Sequence, residues 1–434
     1  MGNSLVLLIG ANPLPNYVVA DYLLSEQNPE FHEIWLVHSE RRHKQAGTKE
    51  VADRLREVLH EKYNGVSLNY CSLCDVGNAN QIIRDIEDKL LKSISPGICH
   101  FNYTGGTKAM SVHIYRAIEK SDRFKAKIFS YLDARHFVLK DDEKGTITED
   151  LRTRISVSLN DLISLHGYKN TKQKSYLWID SLKVINQMIY SSEISKFLSW
   201  EKEVIRKLYY DKGQFVESSN RIRERLENNK QLFDKHEFTN RILPFLREFP
   251  SEHSILDKTG TTLWIPGSDI SNNEYTSRIK PAVHDFLDGK WLENYIFMIL
   301  SERIDKEFPD WKIPIGCNWK FRKEPTGKGF ELDVILVNGY QVCGISCTTD
   351  FTESICKEKG FEIMHRVNQI GGEEGLAVLV TCLSHNDPQE GDRVDRLEED
   401  LHYETGGEVK LRVLGIEDLQ EEILWGKIRD HIWR

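Results

Sequence analysis

One stretch decides how the N-terminal part of the chain folds: Phe101-Asn102-Tyr103-Thr104-Gly105-Gly106-Thr107-Lys108-Ala109-Met110. An apolar run at 98–101 leads into it and predicts a short buried strand, and residues 109–119 predict a helix with one apolar face. A strand that passes through two glycines into a helix is typical of an anion site, because the backbone can approach a ligand and the helix start offers free N–H groups. Lys108 adds a positive charge. The alternative is that Gly105-Gly106 serves only as a tight turn, and the spacing of a Walker A loop is missing.

The composition indicates a globular protein of more than one domain. A chain of 434 residues exceeds one ordinary domain, and its 40% hydrophobic and 29% charged residues are a usual soluble balance. No apolar run reaches membrane-spanning length, so we expect no membrane association. The eight scattered cysteines predict reduced thiols in the cytoplasm, and the lone pair Cys71 and Cys74 is a weak zinc candidate. A net charge of −9 excludes an all-basic surface but leaves a local basic channel open.

Strands and helices alternate through the first 132 residues, which predicts a parallel, doubly wound sheet. The predicted strands lie at 5–9, 33–38, 66–71, 98–101 and 127–132, and the helices at 17–26, 49–63, 78–91 and 109–119. Two further strands are expected near 137–139 and 146–148. Ligands of such sheets bind outside the carboxyl ends of the strands. The residues at or just past those ends are Asn12, Ser39, Asp75, Thr104 to Lys108 and Asp133. Their convergence favours a ligand site over a simple turn.

The rest of the chain predicts a helical connector and a second α/β domain. Residues 176–198 and 201–210 have helical periodicity, the charged run 214–230 is interpreted as a solvated helix face, and 261–266 as a short strand. Further on, the predicted order is a helix at 289–304, strands at 312–319, 331–337 and 340–347, a helix at 352–370 and a strand at 376–382. Asn338-Gly339 predicts a hairpin turn. We therefore expect an α/β protein with domains at 1–155, 156–284 and 285–434, the middle one a spacer.

This last order of elements resembles the restriction-endonuclease-like nucleases, which cluster carboxylates around a divalent metal to hydrolyse phosphodiesters. Glu293 on the first helix and Asp333 on the first hairpin strand occupy the positions of two such carboxylates. Where that motif has a further acid and a lysine, this chain has Ser346 and Thr348. The Ser346 hydroxyl could still serve as an oxygen ligand.

Replacements for the missing acid and lysine are expected on the following helix. The candidates there are Lys357, Lys359 and Glu362, with Arg366 one turn after Glu362. The alternatives are that the lysines are solvated and that Asp333 is an ordinary acid at a strand edge. The predicted catalytic set is Glu293, Asp333, Ser346, Lys359 and Glu362, with Glu293 and Asp333 as metal ligands.

Both halves of the chain resemble one family, the CRISPR ancillary nucleases that carry a CARF sensor domain. Thr104 to Lys108, together with Gly10-Ala11-Asn12-Pro13 after the first strand, look like a CARF domain, which senses cyclic oligoadenylates in type III CRISPR defence. The Trp-Leu-Glu helix start, the stretch Phe330-Glu331-Leu332-Asp333-Val334 and the Ile-Ser-Cys strand are similar to the nuclease domain of that family. The resemblance covers about residues 1–150 and 285–434.

The resemblance implies a homodimer that holds a ring-shaped activator, with cyclic tetra-adenylate expected, across its two-fold axis. It also implies Mn²⁺ or Mg²⁺ as cofactor and DNA or RNA as substrate. The implied ligand residues are Thr104, Gly105, Gly106, Thr107 and Lys108, with Gly10, Ala11, Asn12 and Pro13 closing over the ligand; Ser39 joins them from the neighbouring strand end.

Three functions are compatible with the sequence. The first is a cyclic-oligoadenylate-activated, metal-dependent endonuclease of the cytoplasm. The second keeps the sensor but only holds nucleic acid, because Ser346 and Thr348 depart from the nuclease motif. The third is a metabolic enzyme on a Rossmann-like fold, which the absence of G-x-G-x-x-G after the first strand disfavours.

Overall fold

The computed structural model describes residues 2–25, 31–42, 46–170, 178–324, 326–406 and 410–433. A seven-stranded sheet forms the N-terminal part. Its strands are β1 (Asn3–Leu8), β2 (Phe31–Ser39), β3 (Ser67–Leu73), β4 (Ile98–Asn102), β5 (Ala126–Asp133), β6 (Val138–Asp141) and β7 (Gly145–Thr146). Its helices are α1 (Leu14–Ser25), α2 (Lys49–Lys62), α3 (Ala79–Asp85, continued by a π turn at Ile86–Leu91) and α4 (Lys108–Lys120). The predicted last residue of the first helix, Glu26, lies outside the described residues.

The strand order is β3-β2-β1-β4-β5-β6-β7, in which β1 to β5 are parallel and β6 and β7 are antiparallel. β1 lies near the middle and its apolar side chains are fully buried on both faces. Leu5 and Leu7 pack with α1 and α2, whereas Val6 and Leu8 pack with α3 and α4. A continuous apolar strand is what a sheet covered on both faces requires. The predicted doubly wound sheet is confirmed.

Helices dominate the middle of the chain. They are α5 (Leu159–Leu165), α6 (Ile179–Tyr190), α7 (Ile194–Trp200, continued by a π turn at Glu201–Ile205), α8 (Arg206–Tyr209), α9 (Ser219–Asn229), α10 (Gln231–Asp234), α11 (Thr239–Arg247) and α12 (Asn272–Ala282, continued by a π turn at Val283–Leu287). The short strands are β8 (Lys169–Asn170), β9 (Tyr210–Asp211) and β10 (Gln214–Phe215), and single 3-10 turns lie at Leu151–Thr153 and Ser251–His253.

Two predictions for the middle of the chain need correction. The strand predicted at 261–266 is wrong, because only one bridge forms there, between Leu256 and Leu263. The helix predicted over 176–198 is two helices, α6 and α7, and its predicted start at Tyr176 and Leu177 lies outside the described residues. The charged run behaves as interpreted within α9, where Ile222 and Leu226 are buried and most of the charged side chains face outward.

A six-stranded sheet forms the C-terminal part. The elements in order are α13 (Lys290–Glu307), β11 (Ile315–Arg322), β12 (Gly329–Asn338), β13 (Gln341–Cys347), α14 (Glu353–Gly371), β14 (Leu376–Val380), α15 (Arg393–Glu404), β15 (Leu411–Leu414) and α16 (Glu421–Ile432), with 3-10 turns at Gly372–Glu374 and Ile416–Leu419. The strand order is β15-β14-β13-β12-β11-β8, antiparallel except for β13, β14 and β15. The predicted Asn338-Gly339 turn joins β12 to β13, with Gly339 at φ 65°. The α/β fold class is confirmed.

The two sheets are fastened to each other through the segment that follows β7. Val157 N donates to Gly339 O over 2.8 Å, and Arg152 Nη1 donates to Gln341 Oε1 over 2.8 Å, so the exit from the first sheet is bonded to the hairpin of the second. β8 then pairs with β11. One hydrophobic core therefore contains side chains from both sheets, among them Leu7 and Val342.

All eight cysteines are free thiols. Cys71 is buried at the end of β3 and Cys74 is exposed, and neither belongs to a group of metal-ligating side chains within the described ranges. Of the helices described, none is long and apolar enough to cross a lipid bilayer.

Candidate functional site

The glycines at the end of β4 bring two loops into backbone contact. A Cβ atom on Gly105 would lie 2.2 Å from Leu8 O, and one on Gly10 would lie 3.0 Å from Gly106 N. Gly106 has φ 75°, which glycine adopts without strain. The loops after β1 and β4 therefore pack against each other at the carboxyl end of the sheet, and this packing alone explains why both positions are glycine.

The start of α4 has the features of the predicted anion site. Thr107 is the N-cap, and its Oγ1 accepts a hydrogen bond from Met110 N over 3.3 Å. Lys108 is exposed in the first turn, and no described residue forms an ion pair with it. A capped helix start with a solvent-exposed lysine can bind an anion, because the free backbone N–H groups and the ammonium both attract negative charge.

Three of the predicted ligand residues already use their side chains inside the protein. Thr104 Oγ1 donates to Asn102 Oδ1 over 2.7 Å and accepts from Leu132 N over 2.8 Å, which ties β4 to β5. Ser39 Oγ accepts from Thr48 N over 3.1 Å. Asn12 Oδ1 accepts from Leu14 N over 2.9 Å and lies 3.1 Å from His166 Nε2. Like Gly10, Pro13 and the exposed Ala11, these residues lie at the predicted edge, and their role as ligand contacts stays a prediction.

A separate pocket of about 260 Å³ lies in the C-terminal part of the chain, between α13, β12, β13 and α14. Its lining comprises Lys290, Glu293, Glu331, Leu332, Asp333, Ser346, Lys359, Glu362, Ile363 and Arg366. The structure thus brings together all five residues of the predicted catalytic set. It does not bring Lys357 there, because that ammonium lies 3.2 Å from Asp400 Oδ2 and 2.8 Å from Glu404 Oε1 on α15.

Asp333 is held from the neighbouring strand. Its Oδ2 accepts hydrogen bonds from Cys347 N over 2.7 Å and from Ser346 Oγ over 3.2 Å. Ser346, which stands where the motif has an acid, therefore orients the Asp333 carboxylate. Burial raises the pKa of Asp333, and the two hydrogen bonds oppose that rise because they favour the ionised form.

Glu293 enters the same pocket from α13. Burial, and then the neighbouring Asp333 charge, raise the pKa of Glu293. Both carboxylates are half-buried and each disfavours the ionisation of the other, and a bound divalent cation would relieve this repulsion. The donor set of carboxylate and hydroxyl oxygens also suits a hard cation such as Mg²⁺ or Mn²⁺. The residues present fit the predicted metal.

Cationic side chains surround these acids. Lys359 and Arg366 lie on α14, each 3.7 Å from a different oxygen of Glu362, and Lys290 lies one turn before Glu293 on α13. Thr348, where the motif has lysine, instead donates its backbone N–H to Val380 O over 2.9 Å. The positive charge of this pocket therefore comes from the helices.

Sequence reasoning missed Glu331 and Lys290 as pocket residues. The signals were present: Glu331 precedes Asp333 by two residues, which places both on one face of a strand, and Lys290 precedes Glu293 by three residues on a helix. What the sequence could not reveal is which face of each element the pocket occupies.

A larger cavity of about 650 Å³ lies on the other side of α14. It is lined by Phe361, His365 and Asn368 from that helix and by Arg135 from the turn between β5 and β6. α14 thus stands between the carboxyl edge of the first sheet and the acidic pocket of the second.

No protein-family model matches this chain, and none of the curated proteins matches it in sequence. Solved structures do resemble it. Can2 from Sulfobacillus thermosulfidooxidans, solved in complex with cyclic tetra-adenylate, has 13% sequence identity and a TM-score of 0.61, with 98% of each chain covered. Protein VC1899 from Vibrio cholerae has 16% identity and a TM-score of 0.62, again with 98% of each chain covered. The likeness runs through both sheets and the connector, and at these identities it establishes the fold.

Proposed function

We propose that this chain is a cyclic-oligoadenylate-activated, divalent-metal-dependent endonuclease that cuts DNA or RNA in type III CRISPR defence. The observation that carries the proposal is the pocket in which Glu293 and Asp333 meet beside Lys359. The fold shared with Can2, whose solved structure holds cyclic tetra-adenylate, supports the sensor half. We place the sensor in residues 1–155, the connector in 156–284 and the nuclease in 285–434.

Asp333 and Glu293 would hold the cation, Mn²⁺ or Mg²⁺. When bound, such a cation activates a water for attack on the phosphodiester and neutralises the charge that develops. Cys347 N and Ser346 Oγ keep the Asp333 carboxylate in one orientation. Lys359 takes over the task of the lysine missing at Thr348, and Lys290 and Arg366 bind phosphate oxygens of the substrate.

The activator site is proposed at the carboxyl edge of the first sheet. Lys108 and the backbone N–H groups at the start of α4 contact the phosphates of the cyclic oligoadenylate, and the Gly105-Gly106 loop lets the ring approach the backbone. A ring with its own symmetry favours a two-fold site, so two copies of the chain pair as a homodimer through this edge.

Coupling between the two sites runs through α14. A ligand that moves the β5–β6 turn would act on the cavity that Arg135 shares with Phe361 and His365. The opposite face of the helix carries Lys359, Glu362 and Arg366 into the acidic pocket. A small shift of one packed helix can therefore change the geometry of the catalytic side chains.

The test is a cleavage assay on plasmid DNA and on single-stranded RNA, with Mn²⁺ or Mg²⁺, with and without cyclic tetra-adenylate. Cleavage that requires both the metal and the activator is expected. A chain that binds the activator but cuts neither substrate with either metal would refute the enzyme. That result would favour a second candidate, a ligand-switched regulator that holds nucleic acid, which the replacements at Ser346 and Thr348 support.

A further inference from the structure

Asn318 has a left-handed backbone in the middle of a strand. Its φ is 51°, and it is one of four non-glycine residues with positive φ among those described. The left-handed region costs free energy for residues with a Cβ atom, and asparagine tolerates it better than most. A strained residue of this kind next to a pocket is a reason to ask what its side chain does.

The strain coincides with a break in the strand ladder. β11 and β12 pair at Cys317 with Val334 and at Trp319 with Leu332, but the pair between them, Asn318 with Asp333, is skipped. The register is the same on both sides of the break. No residue has been inserted, so the break reorients Asn318 alone, directly opposite Asp333.

The side chain of Asn318 reaches two carboxylates of the pocket. The two atoms nearest to one end of the amide are carboxylate oxygens, which accept hydrogen bonds, whereas the Lys290 ammonium lies farther from that end, at 3.5 Å. The amide nitrogen is therefore assigned to the end that faces the carboxylates. In that orientation Asn318 Nδ2 donates to Glu293 Oε2 over 2.7 Å and to Glu331 Oε1 over 3.1 Å. A single nitrogen thus links an acid of α13 to an acid of β12.

Glu331 is well placed to act as the acid that the motif lacks at Ser346. It shares a strand face with Asp333, lines the same pocket and is held on its other side by Lys320, whose Nζ lies 3.3 Å from Glu331 Oε2. Because one amide nitrogen bonds to both, an oxygen of Glu293 and an oxygen of Glu331 are held near each other beside the pocket that a cation would occupy.

We propose that Glu331 is a carboxylate ligand of the catalytic cation, in place of the acid missing at Ser346, and that Asn318 is a positioning residue that holds Glu293 and Glu331 together before the cation binds. This proposal rests on the proposed metal-dependent nuclease. The proposal also explains the strained backbone of Asn318, because a residue with ordinary strand geometry would not present its amide between the two acids.

The first test measures Mn²⁺ binding by the full-length protein directly, with the electron paramagnetic resonance signal of free Mn²⁺ as the readout. Loss of an outer-shell partner typically weakens metal binding by about 10–100-fold, and removal of a ligand charge should cost at least as much. Glu331→Gln should therefore weaken Mn²⁺ binding by about tenfold or more. Glu358→Gln removes the same charge from an exposed position on α14 and should bind Mn²⁺ as the wild type does.

The second test separates positioning by Asn318 from a role in folding. Asn318→Gly keeps the left-handed backbone without strain and removes only the amide. Relieved strain and the lost hydrogen bonds to the two acids oppose each other in its thermal midpoint without metal, which should stay above that of Asn318→Ala, while its Mn²⁺ affinity falls by about tenfold. Asn318→Ala, which restores a strained Cβ, should lose both midpoint and affinity.

The outcomes distinguish this proposal from the metal-dependent nuclease on which it rests. Wild-type affinity in Glu331→Gln would overturn the ligand assignment and leave Glu293 and Asp333 as the metal site. Wild-type affinity in Asn318→Gly would overturn the positioning role. If the wild type itself binds no Mn²⁺, the metal-dependent nuclease fails together with this inference.

Discussion

Asp333→Asn should separate stability from activity in this protein. Asparagine has the shape of aspartate, and its Oδ1 can accept the hydrogen bonds from Cys347 N and Ser346 Oγ that now go to the carboxylate. The substitution therefore changes little except the charge. That charge is half-buried beside Glu293, whose pKa it helps to raise. Without metal, the variant should be more stable than the wild type.

The size and the pH dependence of this effect follow from the two carboxyls. Removal of one of two half-buried carboxylate charges that oppose each other is worth roughly 1–3 kcal/mol. Both folded-state pKa values are raised, so the metal-free wild type should lose stability as the pH rises above about 4, where the unfolded carboxyls ionise. The variant has one such group fewer, so its stability should fall less steeply over the same pH range.

Cleavage should change in the opposite direction. A bound cation contributes several kcal/mol of transition-state stabilisation, and each 1.36 kcal/mol is a factor of ten in rate. Loss of about 4 kcal/mol predicts a rate about a thousandfold lower for Asp333→Asn. Activator binding should be unchanged, because the activator site proposed above lies on the first sheet.

The assay combines thermal unfolding in EDTA between pH 5 and 8.5 with activator-dependent cleavage in Mn²⁺. Asp310→Asn, at an exposed acid after α13, is the matched control and should behave as the wild type in both. If Asp333→Asn cuts at the wild-type rate, the catalytic centre lies elsewhere. If it is no more stable than the wild type in EDTA at pH 8, the two carboxyls do not oppose each other as described.

Three further outcomes are expected. Lys108→Ala should weaken cyclic tetra-adenylate binding by about 1.5–3 kcal/mol, the cost of a lost charge-assisted hydrogen bond, and unchanged affinity by calorimetry would remove Lys108 from the site. Lys359→Ala should lower the cleavage rate by at least about tenfold whereas Lys357→Ala should not, since only the first lysine lies in the pocket; equal rates for the two variants would contradict the assignment. Burial lowers the pKa of His166 to about 4, so on the order of 3 kcal/mol of stability should be lost as the pH falls from about 6.5 toward 4, and His166→Gln should flatten that loss in thermal unfolding.

The sequence alone was sufficient to predict most of the first sheet, because buried parallel strands are continuous apolar runs. It was also sufficient for the hairpin at Asn338-Gly339, because a two-residue turn needs the positive φ angles that Asn-Gly adopts. It failed at 261–266, where an apolar stretch has strand character but its backbone bonding to residues 255–257 amounts to a single bridge, between Leu263 and Leu256. A strand exists only when a neighbour supplies its hydrogen bonds, and a sequence does not state which neighbours will be near.

The candidate site shows the same limit. Lys357 and Lys359 are equivalent by composition, but two residues on a helix differ by about 200° in direction, so only the packing of α14 decides which one reaches the acids. Asn318 gave no sequence signal at all. Its left-handed backbone and the two carboxylates that its amide meets, on α13 and β12, come together only in the folded chain.

The contacts between the two sheets limit how parts of this protein can be fused to other proteins. A fusion that replaces the first 155 residues would delete Arg152 and with it the hydrogen bond to Gln341, and would leave Tyr340 without the ring of Phe137 against it. A Cβ on Gly339 would lie 2.3 Å from Arg152 O, so the hairpin tip and the incoming chain are fitted to one another. A chimera that keeps the second sheet would therefore also need the 150–157 segment of this chain, and its junction belongs before this segment.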